Sequence, residues 1–206
     1  MGILRADIGI DYERGITMNN RTEKDLWIEM SIRETWTQAH FAELAYRNID
    51  PKAARGTDAV FSSIHSFLSH CAMVSKMLAA DDGETPPRSI GDILGVARSS
   101  VIHNRRFRNN LEHYDDRLKG WIRQYAAGAN VGTYNIGPKG MFQVPNMIYV
   151  SHYDPTSNTF TFVNEDFELG VLYEEAQRIK GIAGAWVERM ESGRMKAPFG
   201  QSRGLD

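Results

Sequence analysis

Apolar positions recur at helical spacing in several stretches of this 206-residue chain and alternate at strand spacing in one. Val60, Ile64, Phe67, Cys71, Val74 and Leu78 return every three or four residues, the period of a helix with one buried side. Thr57 or Asp58 can cap that helix, which the spacing extends to about Ala80. Leu172, Ala176, Ile179, Ala183, Trp186 and Met190 repeat in the same way and predict a last helix over about Leu169 to Glu191. Near the start, Thr22-Glu23-Lys24-Asp25 reads as a capping box that opens a long helix to about Asn48. Its apolar residues fall on two sides, with Leu26, Met30, Phe41 and Leu44 on one and Ile28, Ile32, Ala39 and Tyr46 roughly opposite. A helix with two apolar sides needs two neighbours, which a second subunit or a further helix of the chain would supply.

The middle of the chain changes rhythm. Asp81 to Arg88 is a loop by its glycine and paired prolines, and Ser89 to Val96 has room for only a short helix. Ser99 or Ser100 can cap a further helix ending near Gly128. Gly128 to Pro145 carries four glycines and two prolines and reads as a long loop, whose Lys139, Tyr134 and Phe142 are suited to touching a nucleic acid. Met147 to Tyr153 and Thr159 to Val163 then alternate as strands about the turn formers Asp154 to Asn158, predicting an antiparallel hairpin over about 147–163. Residues 1–21 have no sustained period and read as an arm, and 192–206 as a flexible tail. The expected whole is one mainly α domain over 22–191, a helical bundle with an added antiparallel β-hairpin and a C-terminal helix.

Composition narrows the function classes. A formal net charge of -2 and a pI near 6.3 argue against a protein that coats nucleic acid through a global positive field, so any RNA contact has to be local. Cys71, the single cysteine, lies on an apolar stripe, which leaves neither a disulfide framework nor a thiolate zinc site. No stretch reaches the roughly 20 apolar residues that span a bilayer, and no basic leader precedes the first helix, so the expected location is cytoplasmic, with no membrane partner. His65 and His70 lie on different flanks of their helix and suit structural roles better than joint metal binding.

Arg105 to Tyr125 concentrates the chemistry. Phe107, Leu111, Tyr114, Leu118, Trp121, Ile122 and Tyr125 form one apolar stripe, while Asn109, His113, Asp116 and Gly120 form a second, polar one. A plain solvated face would carry Glu and Lys; this one offers an amide, an imidazole, a carboxylate and a glycine where another backbone can come close. Within it, Arg108-Asn109-Asn110-Leu111-Glu112-His113 sets an arginine, a polar residue and then a histidine five places after the arginine. Arg33 and His40, Arg98 and His103, and Arg106 and His113 meet the same loose spacing; Arg108 is favoured by the Asn109 that follows it, by its place on a strongly amphipathic helix and by the polar stripe to which His113 belongs.

This pattern resembles the R-x(4 to 6)-H signature of the HEPN superfamily, helical bundles many of which are metal-independent endoribonucleases. The resemblance implies a HEPN-like fold and a homodimer in which two such helices line one cleft. It also implies RNA as substrate, a 2',3'-cyclic phosphate product and a toxin, defence or RNA-processing setting, with an antitoxin or other protein as a further partner. The residues themselves fit that chemistry. An RNA strand carries its own nucleophile, so cleavage needs a base near the 2'-hydroxyl and a cation at the phosphate. His113 suits proton transfer, with an unperturbed pKa of about 6.5, and Arg108 suits the phosphate. Asn109 can hold the phosphate or the ring, and Asp116 can orient the ring one turn on. Glu112 is placed to bind or orient substrate or to pair with Arg108. Glu112, His113, Asp115 and Asp116 lack the second carboxylate and histidine that a carboxylate-bridged metal pair wants, so neither a metal nor a cofactor is expected. In a straight helix the five-residue offset turns Arg108 and His113 roughly 140° apart, which calls for an irregular helix or for two chains. The alternatives are a non-catalytic HEPN-like dimer serving as a protein-interaction or nucleotide-binding module, and a small bundle enzyme unrelated to RNA.

Overall fold

The computed structural model describes residues 22–52, 56–81, 83, 88–104, 106–125, 128, 130–142 and 144–192; the arm and all but the first residue of the tail lie outside these, as do the side chains of Phe107, Arg108, Leu111, Gln124 and Tyr125. The fold is mainly helical with a small β region. Three long helices make its frame: α1 (Glu23–Arg47), α2 (Gly56–Leu78) and α6 (Leu169–Glu191). The expected capping box is present, with Thr22 Oγ1 accepting from the Asp25 amide at 3.1 Å and Asp25 Oδ2 accepting from the Thr22 amide at 3.2 Å. All six residues of the α2 stripe are buried, and Leu172, Ala176, Ile179 and Ala183 of α6 close the core with Ile28, Ile32, Ala39 and Ala42 of α1. Tyr46 ties the three helices together, stacking on Tyr173 at 4.0 Å and leaning on Phe67 at 5.2 Å. Gly184 lets α6 approach Trp36 closely, since a Cβ there would lie 3.2 Å from the indole nitrogen.

The second apolar side of α1 is only partly covered by the described residues: Met30, Phe41 and Leu44 are 48%, 39% and 45% exposed, with Phe41 5.4 Å from the His70 ring. The buried carboxylates of α1 are each held. Glu29 accepts from Arg33 at 3.0 Å. Glu43 takes both Lys180 and Arg47; burial alone would raise its carboxyl, but the Lys180 ammonium outweighs that and holds it below its ordinary range.

The expected helix from 99 to 128 is broken up. After α3 (Ile90–Leu94), which begins at a Ser89–Asp92 capping box and ends at Gly95 with φ +69°, come a 3-10 turn at Val101–His103, α4 (Arg106–Glu112) and α5 (Tyr114–Tyr125). Ser100 explains the first interruption: its hydroxyl accepts from the Ile102 amide, caps the 3-10 turn and donates to Glu175 of α6. The chain is thereby pinned to the bundle before it can start a regular helix.

The β region is larger than the expected hairpin. The predicted pair is there as β4 (Ser151–Asp154) and β5 (Thr159–Phe162), antiparallel as expected. The supposed loop 128–145, however, contributes β1 (Asn130–Gly132) and β2 (Asn135–Ile136), which run parallel to β3 (Met147–Tyr149) and β4. A further strand, β6 (Glu165–Glu168), completes a sheet in the order β2-β4-β5-β6. Its two faces differ in character. Ile136, Tyr153, Phe160 and Phe167 align across the four strands, and the last three are buried in the core against α2. On the other side Asn135, His152, Thr161 and Asp166 align in the same register.

Candidate functional site

The joint between α4 and α5 falls at His113. Two i to i-4 backbone bonds still cross it, His113 N to Asn109 O at 3.2 Å and Arg117 N to His113 O at 3.0 Å, so the two helices form a nearly continuous rod with one irregular residue. Anchors on both sides of the joint hold it against the β5–β6 hairpin. Buried Asn110 donates through Nδ2 to Glu165 at 3.2 Å, and Tyr114 stacks on Phe162 at 5.9 Å with 20° between the rings. Phe162 in turn touches His65 of α2, which fixes the hairpin to the bundle.

With Asn110 and Tyr114 turned inward, Asn109 and His113 emerge on the solvent side, one turn apart. Glu112 and Asp116 are exposed as well. The polar stripe therefore exists as a surface feature, and Gly120 continues it with open space where a Cβ would be. Arg108 sits on α4 one residue before Asn109. Asp116 lies 3.7 Å from Lys119 on its own helix, an exposed pair that gives the carboxylate a partner other than the His113 ring. Among the described members, the apolar stripe is only partly covered. Tyr114, Leu118 and Trp121 are partly buried, while Ile122, expected in the core, is 49% exposed.

The other arginine and histidine pairs of the same spacing fare differently. Arg33 is committed to Glu29 and Glu191, at 3.0 and 2.9 Å. Arg98 and His103 are brought together: both line a pocket of about 350 Å³ at the end of α2, with Leu78, Val96, Asp81 and Ser89. Sequence spacing alone gives that pair no more weight than the other two. The chain folds it around a pocket through the 3-10 turn.

The remaining histidines are structural in setting. His70 shares a 2.7 Å hydrogen bond with Gln38, and burial lowers the pKa of both His65 and His70. His152 is fully buried under the outer face of the sheet, its ring 4.2 Å from that of Tyr149. Burial lowers its pKa and Lys139 adds to that, against the opposing pull of Asp154 and Asp166. Lys139, expected to reach a nucleic acid, instead bonds both oxygens of Asp166 at 2.7 and 2.8 Å, while its amide donates to Asp154 at 3.0 Å. Tyr134 and Phe142 remain exposed at 54% and 38%, although Tyr134 sets an edge contact 5.2 Å from Phe61. Among the described residues no group of three or more His, Cys, Asp or Glu is placed to hold a metal ion, and no helix is long and apolar enough to cross a membrane.

No family model matches the chain, and no curated protein or solved structure matches it either.

Proposed function

We propose that the chain is a metal-independent endoribonuclease of the HEPN type that works as a homodimer, with the exposed α4–α5 joint as its active face. The observation that carries this reading is the setting of His113: a solvent-facing imidazole at the one irregular point of the rod, a turn from an exposed amide and directly after the helix that carries Arg108. In the proposed reaction His113 takes the proton from a ribose 2'-hydroxyl as its oxygen attacks the adjacent phosphorus. The bond to the 5'-oxygen breaks, a second His113 protonates that oxygen, and a 2',3'-cyclic phosphate remains. Arg108 balances charge on the phosphorane oxygens, and Asn109 hydrogen-bonds the phosphate or the ring. Asp116, with Lys119 beside it, is assigned no part in the proton transfer.

The dimer has a physical motive in the half-exposed apolar side chains Ile122 of α5 and Met30, Phe41 and Leu44 of α1. A symmetric partner supplies the second histidine that one chain lacks at this joint. RNA is the partner of the active face, and a neutralising protein such as an antitoxin suits the setting.

The test is incubation of purified protein with mixed RNA in EDTA, comparing wild type with His113→Ala and Arg108→Ala. Cleavage by wild type that leaves cyclic phosphate ends and disappears in both variants is the expected result. RNA left intact by wild type across several substrates would transfer the site to the rival reading, a non-catalytic dimeric interaction or nucleotide-binding module.

A further inference from the structure

The outer face of the four-stranded sheet buries a histidine whose ring completes no hydrogen bond. His152 is 0% exposed, and neither of its ring nitrogens has a bonded partner among the described residues. The Gly137 carbonyl lies near enough to favour a proton on the ring without completing a bond to it. Asn135 Nδ2 and the Tyr149 hydroxyl, also buried, stand without partners in the same place. Tyr149 is 4.2 Å from the His152 ring, and a Cβ on Gly132 would stand 2.5 Å from Asn135 Nδ2 and 3.2 Å from the Tyr149 ring. A neutral ring tolerates such a setting; a charged one needs a partner.

The groups facing the ring are Asp154 on its own strand, Asp166 on β6, Lys139 of the segment after β2 and the phenol of Tyr149 on β3, while β2 and β5 present the uncharged Asn135 and Thr161. Both carboxylates are committed. Asp154 accepts from the amides of Lys139, Thr156 and Ser157 at 3.0, 2.8 and 3.4 Å. Asp166 accepts from Thr161 at 2.6 Å and from Lys139 Nζ at 2.7 and 2.8 Å. Burial alone would raise both carboxyls, but these donors outweigh it and hold them below the ordinary carboxylate range. Of these groups, the imidazole is therefore the one that titrates under mild acid. A proton on it sets a second cation beside Lys139, with Asp166 to share. The two cations are not equal. Lys139, 47% exposed, returns to water at little cost, whereas the ring cannot leave without opening its cover.

That cover is lightly held. Besides the two ties of Lys139, segment 137–142 is secured by the Gly137 amide on the Tyr153 carbonyl at 3.0 Å, and Met141 and Phe142 are 47% and 38% exposed, so little apolar burial anchors it. We propose that segment 137–142 is a latch on the outer face of the sheet, closed by Lys139 on Asp166 and Asp154 and released when His152 takes up a proton. Opening wets the ring and returns it to its ordinary value of about 6.5, above the one that burial gives it in the closed form. The open form thus holds the proton more tightly, and acid favours it by up to about tenfold per pH unit below about 6.5. The latch does not depend on any activity at His113.

The experiment is amide hydrogen exchange by NMR between about pH 7.5 and about pH 5, corrected for the intrinsic rate, on wild type, His152→Gln and Lys139→Met. In wild type the protection of the Gly137 and Lys139 amides should fall by up to about tenfold per pH unit below about 6.5, with the amides of α2 keeping theirs. His152→Gln should flatten that dependence. Lys139→Met, at an exposed position, should lower protection of both amides about threefold even at neutral pH, the loss of one surface ion pair. Protection that ignores pH in wild type overturns the latch. So does a fall shared equally with α2, which is global unfolding, or a pH dependence that survives in His152→Gln, or unchanged protection in Lys139→Met. Should His152→Gln not fold, the ring resonances of His152 in wild type decide: their midpoint must coincide with that of the Lys139 amide, and a mismatch overturns the proposal.

Discussion

Helices α2 and α5 start from the same kind of sequence and reach different ends. Both carry an apolar stripe at helical spacing, but α2 buries every member of its stripe, Ile64, Phe67 and Val74 at 0% exposure, while α5 leaves Ile122 half in water. The difference lies in neighbours. α2 is clamped between α1, α6 and the inner face of the sheet, through contacts such as Tyr46 on Phe67 and Phe61 on Phe160. α5 stacks Tyr114 of its first turn on Phe162, and its Leu118 and Trp121 are only partly buried. An amphipathic stripe therefore establishes that a helix has a side to hide; where it hides is decided by the rest of the assembly.

The largest effect expected from this contrast is on stability. Phe67→Ala should cost about 3–5 kcal/mol, the range for removing a large buried side chain from a core that closes only in part, read as a lowered midpoint in urea with an unchanged slope. A cost below about 1 kcal/mol would mean that the helix core is loose and the contrast with α5 unfounded. An effect of similar size, but on activity alone, is expected at the joint. His113→Ala should reduce RNA cleavage by about a hundred- to ten-thousandfold while leaving the melting temperature where it was, since the side chain is exposed. Loss of fold in this variant would assign His113 to structure.

Smaller again is the effect on assembly. If a second copy covers the open side of α5, Ile122→Asp should weaken self-association by about thirtyfold, the equivalent of about 2 kcal/mol at an interface hot spot, in sedimentation at several concentrations. Equal mass for both proteins at every concentration would place Ile122 outside any such contact.

The smallest effect sharpens the contrast through pH. Burial depresses the pKa of His65 and His70 on α2, and of His152 beneath the sheet, while the unfolded chain titrates near the ordinary value of about 6.5. The unfolded state thus takes up protons first on acidification, and stability falls as the pH drops below about 6.5. The depressed carboxyls of Glu43, Asp154 and Asp166 act in the same direction, but only in the lower carboxylate range. The melting temperature should therefore decline from about pH 7 to about pH 5.5, and His65→Phe should make that decline shallower. A flat profile across this window would show that these rings are not held neutral.

How much of this was legible in the sequence depends on how local the determining contacts are. The capping box at Thr22 and the stripes of α1, α2 and α6 are written within a few residues of each other, and all four are found. The sheet is less legible because its pairings are distant: the parallel partners Asn135 and His152 are read as loop and strand, with no short turn to announce them. The β5–β6 turn is also disguised. It uses Val163 and Asn164, both at positive φ (48° and 63°), where a glycine would have signalled a tight hairpin. At the site, Asn109 and His113 were legible as one polar stripe. The inward turn of Asn110 was not, since its partner Glu165 lies 55 residues on. The Arg98–His103 pocket is less legible still, because it depends on the 3-10 turn at Val101–His103 where the spacing predicts a regular helix.

Cys71 lies inside the core of α2 at 4% exposure, and burial pushes its thiol far above the usual range. With no other sulfhydryl in the chain, a maleimide or disulfide reagent has one target and reaches it only when the helix core comes apart. Labelling rates at this position would time that opening for every variant above, with no engineered reporter needed.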